Sequence, residues 1–167
     1  MNEKDNIVLT GFMGTGKTAV GRILAYLMNW SFVDADEEIV ANVGMSIPRI
    51  FETQGEKAFR QYEMQICQSL AKRERHVIAT GGGMLVNPAN LEMMQENGLV
   101  ICLDASEKEL AKRLSDPKGR PLAANWRELF HKRQATYAAI ANHIDTTGKS
   151  VRQSAEEIIT LWQKSLQ

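Results

Sequence analysis

The sequence has few of the residues that mark disulfide-rich or metal-binding proteins. Its 167 residues include two cysteines, Cys67 and Cys102, and each lies in an apolar stretch. This scarcity argues against a disulfide scaffold, and two buried thiols suit a reducing cytoplasm. Neither cysteine has the spacing of a metal ligand, and the histidines at 76, 131 and 143 lack it as well. We interpret His76, His131 and His143 as structural or solvated.

Net charge and long apolar runs are also missing. Twenty basic residues balance 20 acidic ones, which gives no support to a nucleic acid or a membrane surface as a partner. No apolar run approaches the ~20 residues that span a bilayer, and the first stretch, MNEKDNIVL, is too charged for a signal peptide. These absences predict a cytoplasmic protein, which we expect to be a monomer.

The sequence does contain five short apolar runs that alternate with helical patterns. We predict strands at residues 6–10, 30–34, 76–80, 99–104 and 143–147. We predict helices at about 17–28, 36–43, from 46 onward, 55–72, 87–97, 106–114, 126–141 and 150–166. Buried-type strands that alternate with helices predict a single α/β domain over residues 1–167, with a parallel sheet.

Two local features refine this prediction. Gly21 lies one turn inside the first helix, where Gly costs up to about 1 kcal/mol relative to Ala. We therefore expect this helix to pack closely on a strand at that position. Ser106 and Glu109 have the spacing of a capping box, which predicts a helix that starts just after Ser106.

The stretch GFMGTGKT at residues 11–18 has the spacing of a phosphate-binding loop, or P-loop. It follows a predicted strand and opens a predicted helix, which is the context that the motif requires. Its glycines allow successive backbone N–H groups to point inward at an anion, and the helix N-terminus adds the positive end of a dipole. Lys17 can reach the β- and γ-phosphates of a nucleotide, and the Thr18 hydroxyl can bind Mg²⁺.

Two carboxylates are candidates for the second residue that helps to hold this metal ion. Asp104 ends the apolar run LVICLD, whereas Asp34 ends FVD and stands beside Asp36. Asp104 has another explanation, as a negative charge just before a helix that starts near Ser106. Asp34 and Asp36 follow a strand end, where ligands collect in parallel sheets, although a negative charge there also suits the N-terminus of the next helix. We favour Asp34 and keep Asp104 as the alternative.

Other features of the sequence indicate which reaction the bound phosphate undergoes. A signalling GTPase commonly carries Asn-Lys-x-Asp, and NHID at residues 142–145 lacks the lysine. A transport-type ATPase would need a longer chain. Residues 115–125, SDPKGRPLAAN, have the composition of a basic loop, as expected of a lid that closes over the γ-phosphate and excludes water. These observations favour phosphoryl transfer from ATP to a small molecule.

The motifs taken together resemble those of the shikimate kinase family. After the P-loop the chain carries FVDAD at 32–36, AFRQYE at 58–63, VIATGGG at 77–83, GRPL at 119–122 and RQATY at 133–137. These pieces occur in the family's order and spacing over residues 6–147. The resemblance implies a three-layer α/β/α fold of the nucleoside-monophosphate-kinase type, with a mobile lid at 115–125. It also implies a shikimate-binding helical region at about 37–72.

The resemblance further implies MgATP-dependent phosphorylation of the 3-hydroxyl of shikimate, a step toward chorismate and the aromatic amino acids. The nucleotide is expected at the P-loop and at two arginines, namely Gly14, Thr15, Gly16, Lys17, Thr18, Ala19, Arg113 and Arg120. Thr18 is expected to bind Mg²⁺, and Asp34 to support it through water. Arg113 resembles an adenine-stacking residue, and Arg120 resembles the arginine of the lid.

Shikimate is expected to bind between Asp36, Arg60, Arg133 and the loop Gly81–Gly83. Asp36 resembles the residue that holds the accepting hydroxyl and is a candidate base, so it joins Lys17 and Arg120 as an expected catalytic residue. The residue chemistry agrees, because a carboxylate calls for guanidinium groups. Glu63 lies three residues after Arg60 on one predicted helix and can orient it.

The direction of the Arg133 side chain is undecided at this point, and two alternative functions remain. Arg133 is followed by Ala135-Thr136, where the family often has Pro-Leu, which leaves its aim undecided. A related small-metabolite kinase such as gluconate kinase would share the P-loop and the lid but should lack the FRxxE and GGG combination. A non-catalytic nucleotide-binding module would have no use for the complete set of charged residues, Lys17, Asp34, Asp36 and Arg120.

Overall fold

The computed structural model describes residues 6–115 and 125–167, which form one parallel sheet with helices on both faces. The strands are β1 (Asn6–Thr10), β2 (Ser31–Asp34), β3 (His76–Ala79), β4 (Leu99–Asp104) and β5 (His143–Asp145). The α-helices are α1 (Lys17–Met28), α2 (Ala35–Val43), α3 (Ile47–Gln54), α4 (Glu56–Leu70), α5 (Pro88–Asn97), α6 (Glu107–Leu114), α7 (Trp126–Ala138) and α8 (Val151–Ser165). A 3₁₀ helix at Met84–Val86, which the sequence did not predict, precedes α5. The predicted lid, with Arg120, lies outside the described residues except for its two end positions.

The sheet has the strand order β2-β3-β1-β4-β5, and all of its pairs are parallel. All five strands therefore end at the same edge of the sheet. The chain order changes direction at β1, which lies between β3 and β4, and ligands of such sheets bind beyond the carboxyl end of the strands at that point. The predicted α/β fold with a five-stranded parallel sheet is confirmed.

Alternate residues of the strands face opposite sides of the sheet and build two cores. Val8 of β1 and Val100 of β4 face the core that contains α2 to α7. Ile7 and Ile101, from the same two strands, face the core that contains α1 and α8. Because both faces are covered, the strands have the continuous apolar sequences of a buried parallel sheet. None of the helices formed by the described residues has the length and apolarity that a membrane crossing requires.

Gly21 marks the place where α1 lies closest to the sheet. A Cβ added at this residue would lie 2.6 Å from Cε2 of Phe32 and 3.4 Å from Cδ1 of Leu9. A side chain of any size would therefore push α1 away from β1 and β2. The prediction that this glycine serves close helix–strand packing is confirmed.

Helix α6 starts just after Ser106, as predicted, but the capping box is only half formed. Ser106 Oγ accepts a hydrogen bond from the backbone N–H of Glu109 at 3.1 Å, which is one half of a capping box. The Glu109 carboxylate instead accepts a hydrogen bond from Arg113 Nε at 3.0 Å, and the backbone N–H of Ser106 donates to Thr147 Oγ1. A charged guanidinium one turn away is a better partner for the carboxylate than a neutral amide.

Candidate active site

The P-loop connects β1 to α1 through a backbone that glycine makes possible. Gly14 and Gly16 have φ angles of 82° and 103°, which are unfavourable for residues with a Cβ atom. Gly16 is the N-cap of α1 and provides no side-chain cap, so the first backbone N–H groups of this helix suit an anion. A cleft of about 290 Å³ opens onto these groups and is lined by Met13, Gly14, Gly16, Lys17, Thr18, Ala19, Arg113 and Leu114.

Lys17 lies across the P-loop. Its Nζ donates hydrogen bonds to the backbone carbonyls of Gly11 at 2.7 Å and Phe12 at 2.9 Å. Phe12 O also accepts a hydrogen bond from Thr15 Oγ1 at 2.8 Å. The ammonium group is therefore placed at the loop before any phosphate arrives.

Arg113 supports the P-loop from the side of α6. Its Nη1 donates to Gly14 O at 3.1 Å and to Thr146 Oγ1 at 3.0 Å, and its Nη2 donates to Thr146 O at 3.0 Å. Thr146 is buried and donates from Oγ1 to Thr15 O at 2.9 Å. Sequence reasoning missed Thr146, for which a polar residue directly after β5 was the only signal. The role of Arg113 in stacking on adenine stays a prediction.

Asp34 joins the start of α2 to the P-loop. Its Oδ1 accepts hydrogen bonds from the backbone N–H groups of Asp36 and Glu37 at 2.9 and 3.2 Å. Its Oδ2 accepts a hydrogen bond from the Thr18 hydroxyl at 3.1 Å. The alternative carboxylate, Asp104, lies 2.6 Å from His143 Nδ1. The structure thus brings Asp34 together with Thr18, and these two oxygen donors fit a hard cation such as Mg²⁺.

The loop Gly81–Gly83, which we call the glycine loop, is the centre of a second half of the site. A Cβ added at Gly81 would lie 2.7 Å from Asp36 Oδ1. A Cβ added at Gly83 would lie 2.7 Å from Arg60 Nη1. Charged groups from α2 and α4 therefore meet the glycine loop so closely that any side chain there would displace them.

Arg133 reaches the same loop from α7. A Cβ added at Gly82 would lie 3.0 Å from Arg133 Nη1, and one added at Gly83 would lie 3.2 Å from Arg133 Nη2. One turn further along α7, Tyr137 donates its hydroxyl to the Gly82 carbonyl, and burial raises the pKa of Tyr137 to about 12. Arg133 thus points at the glycine loop despite Ala135-Thr136. Sequence reasoning gave Tyr137 no role, although a tyrosine four residues after Arg133 on a helix was the available signal.

Glu63 orients Arg60, as predicted. Its carboxylate is 2% exposed and lies 2.7 Å from Arg60 Nη1, whereas the exposed Glu56 lies 3.3 Å from Arg60 Nη2. The pKa of Glu63 is raised, because burial penalises its charged form more than Arg60 stabilises it. Burial lowers the pKa of Arg60, but the two glutamates outweigh burial and raise it. Arg60 therefore keeps its charge and is held in place.

Comparison with known proteins identifies the family to which this chain is similar. A family model described as shikimate kinase matches residues 13–163. The shikimate kinase of Caldanaerobacter subterraneus subsp. tengcongensis is 39% identical over 165 residues, which are 95% of this chain and 96% of that protein. The structure of the Acinetobacter baumannii shikimate kinase in complex with shikimate has a TM-score of 0.88 at 36% identity, and the match covers 96% of this chain and 94% of the other.

A more distant structural neighbour separates fold from family. A gluconokinase from Sinorhizobium meliloti 1021 matches with a TM-score of 0.67 at 17% identity, over 98% of this chain and 94% of the other. That likeness shows the fold alone. The family model and the relatives cover nearly the whole chain, so this chain belongs to the shikimate kinase family.

Proposed function

We propose that this protein is an ATP-dependent kinase that transfers the γ-phosphate of ATP to the 3-hydroxyl of shikimate, giving shikimate 3-phosphate and ADP. The observation that carries this proposal is the convergence of Asp36, Arg60 and Arg133 on the glycine loop. The glycine loop follows β3, which pairs with β1, and the P-loop follows β1. A Cβ added at Gly82 would lie 3.5 Å from the carbonyl oxygen of Gly11. The acceptor and donor halves of the site are therefore neighbours.

The acceptor half suits a small molecule that carries both a carboxylate and a hydroxyl. Arg60 and Arg133 present guanidinium groups on one side of the glycine loop, where they bind the carboxylate of shikimate. Asp36 lies at Gly81 and accepts a hydrogen bond from the 3-hydroxyl. As the phosphoryl group reaches the hydroxyl oxygen, Asp36 takes the hydroxyl proton and later releases it to solvent.

The donor half positions the phosphates and stabilises their charge. The backbone N–H groups at the start of α1 bind phosphate oxygens, and Lys17 exchanges the carbonyls of Gly11 and Phe12 for the β- and γ-phosphates. Thr18 and Asp34 are the residues that would hold Mg²⁺, which supplies positive charge at the β- and γ-phosphate oxygens when bound. Arg120 of the predicted lid is proposed to add its charge as the site closes.

Acceptor-dependent release of ADP tests this function. The protein is incubated with MgATP alone, with shikimate, and with gluconate as the matched sugar-acid control. We expect rapid ADP release with shikimate only, together with one shikimate 3-phosphate per ADP. Turnover with gluconate would identify the related sugar-acid kinase, and nucleotide binding without acceptor-dependent turnover would identify a non-catalytic module.

We further propose that the protein works as a monomer in the cytoplasm. The reaction needs no residue from a second chain, because both halves of the proposed site are built from one chain. Light scattering during size-exclusion chromatography measures the mass directly. The expected mass is that of one chain, 18.7 kDa, and a mass of two chains at the protein concentration of the assay would contradict the proposal.

A further inference from the structure

Three side chains of metal-ligand type meet where β4 and β5 end. Cys102 and Asp104 are two residues apart on β4, so they face the same side of the sheet. His143 of β5 lies opposite Cys102 in the parallel register. The Cys102 sulfur, an Asp104 oxygen and a His143 ring nitrogen all lie within 4.8 Å of one another. Within residues 6–115 and 125–167 this is the one such group of three.

The contacts of His143 place its Nδ1 atom against the carboxylate of this cluster. Nε2 lies 2.8 Å from the carbonyl oxygen of Ile140, which only accepts, so Nε2 carries a proton. Nδ1 lies 2.6 Å from Asp104 Oδ2. Two lone pairs at that distance repel each other, so a proton or a metal ion must lie between these atoms. Metal-binding histidines have this arrangement, with the other ring N–H donating to a backbone carbonyl.

The distances are close to those of a tetrahedral site. Zn²⁺ binds sulfur at about 2.3 Å and nitrogen or oxygen at about 2.0–2.2 Å, so two tetrahedral ligand atoms lie about 3.3–3.6 Å apart. Cys102 Sγ is 3.6 Å from Asp104 Oδ1, whereas His143 Nδ1 is 2.6 Å from the other carboxylate oxygen, Oδ2. A single oxygen can bind the ion beside both neighbours once the carboxylate turns and the His143 ring moves back. The side chains of His143 and Asp104 are 33% and 43% exposed, which leaves them room to do so.

A cavity reaches two of the three ligands, Asp104 and His143, whereas the buried Cys102 does not line it. It has a volume of about 250 Å³ and is lined by Asp104 and His143 together with Phe12, Thr15 and Tyr137. Water in this cavity can complete the coordination shell. We propose that Cys102, Asp104 and His143 form a binding site for a divalent transition metal of the Zn²⁺ type, separate from the Mg²⁺ position at Thr18 and Asp34.

The chemistry of the three ligands selects the metal. A thiol and an imidazole are poor ligands for Mg²⁺ and Ca²⁺, which prefer oxygen, and good ligands for Zn²⁺ and Co²⁺. Burial raises the pKa of Cys102 to about 12, and Asp104 adds to this effect while Lys17 opposes it.

Titration with Co²⁺ tests the site, because thiolate-bound Co²⁺ has a charge-transfer absorption in the near ultraviolet. Chelator-treated protein is titrated in excess Mg²⁺, so that hard-cation positions are already filled. We expect one Co²⁺ per chain with the charge-transfer band and tetrahedral visible bands, both abolished by one equivalent of Zn²⁺. Absence of saturable Co²⁺ binding would overturn the proposal.

Two variants test the sulfur and nitrogen ligands, and two matched variants serve as controls. Cys102→Ala should lose the charge-transfer band, whereas Cys67→Ala, the other buried cysteine, should keep it. His143→Asn should weaken Co²⁺ binding at least about ten-fold, whereas His131→Asn should leave it unchanged. His143 is partly exposed, so its variant serves even where Cys102→Ala folds poorly. An unchanged band in Cys102→Ala, or unchanged affinity in folded His143→Asn, would show that the metal binds elsewhere.

Discussion

The donor half and the acceptor half of the proposed site are built in opposite ways. The P-loop of the donor half is a contiguous stretch, residues 11–19, in which backbone groups and one lysine surround the phosphate position. The acceptor half takes one charged residue each from α2, α4 and α7 and places them around a loop after β3. Local sequence is sufficient for the P-loop, whereas the acceptor half exists only when four elements pack together.

The difference has a chemical reason. A triphosphate is recognised by repeated anionic groups, which successive N–H groups of one loop can bind. Shikimate has a carboxylate and hydroxyls at separate positions, so its ligands must approach from several directions. Glu63 and Tyr137 serve this second requirement, because their side chains bind Arg60 and the Gly82 carbonyl, respectively.

The largest expected effect comes from removing the P-loop lysine of the donor half. Lys17→Ala should lower kcat at least about 10²-fold, as is typical for the loss of one preorganised electrostatic partner. Steady-state assays with saturating shikimate measure this effect, and Lys164→Ala, an exposed lysine in α8, is the control. Near-normal turnover by a correctly folded Lys17→Ala protein would remove the P-loop from the mechanism.

Asp36→Asn should have an effect of similar or slightly smaller size, about 10²-fold in kcat, because the hydroxyl loses its proton acceptor. Since Asp36 belongs to the acceptor half, the affinity for ATP should change by less than about three-fold. Calorimetric titration with nucleotide and assays of turnover separate the two quantities. Glu37→Gln, a neighbouring exposed acid of α2, should change neither. A collapse of ATP affinity with normal shikimate binding would move Asp36 to the metal and exchange its role with Asp34.

A change in the substrate tests the two arginines without disturbing the fold. The methyl ester of shikimate lacks the negative charge that Arg60 and Arg133 bind, and charge-assisted hydrogen bonds contribute roughly 1.5–3 kcal/mol each. We expect kcat/KM for the ester to be at least about ten-fold lower than for the acid, with an unchanged KM for ATP. Equal kcat/KM values for the acid and the ester would show that the two arginines do not bind the carboxylate.

The smallest effect should come from the residue that orients Arg60. Glu63→Gln keeps the shape of the side chain but removes the buried charge 2.7 Å from Arg60 Nη1. We expect the KM for shikimate to rise about five- to ten-fold, while kcat and the KM for ATP stay within about two-fold. Glu56→Gln, which removes the exposed partner of the same arginine, should change the KM for shikimate by less than about two-fold. Equal effects of the two variants would mean that burial of Glu63 does not matter for the aim of Arg60.

Much of this protein was determined by local sequence. The alternation of apolar runs and helical patterns predicted the parallel sheet, and the P-loop spacing predicted the turn between β1 and α1, because both depend on residues that are close in the chain. The close packing at Gly21 was also predicted from local sequence, since a glycine inside a helix indicates a close contact. The spacing of Arg60 and Glu63 on one helix was sufficient to pair them.

Other features depended on the tertiary structure, because they join residues that are far apart in the chain. Packing placed the guanidinium of Arg113 against the P-loop carbonyls and Thr146. The sequence offered no metal spacing for its cysteines and histidines. The register of β5 on β4 nevertheless puts His143 beside Cys102, 41 positions away in the chain. Pairing of distant strands is decided by burial of whole sheet faces, and no local pattern contains that information.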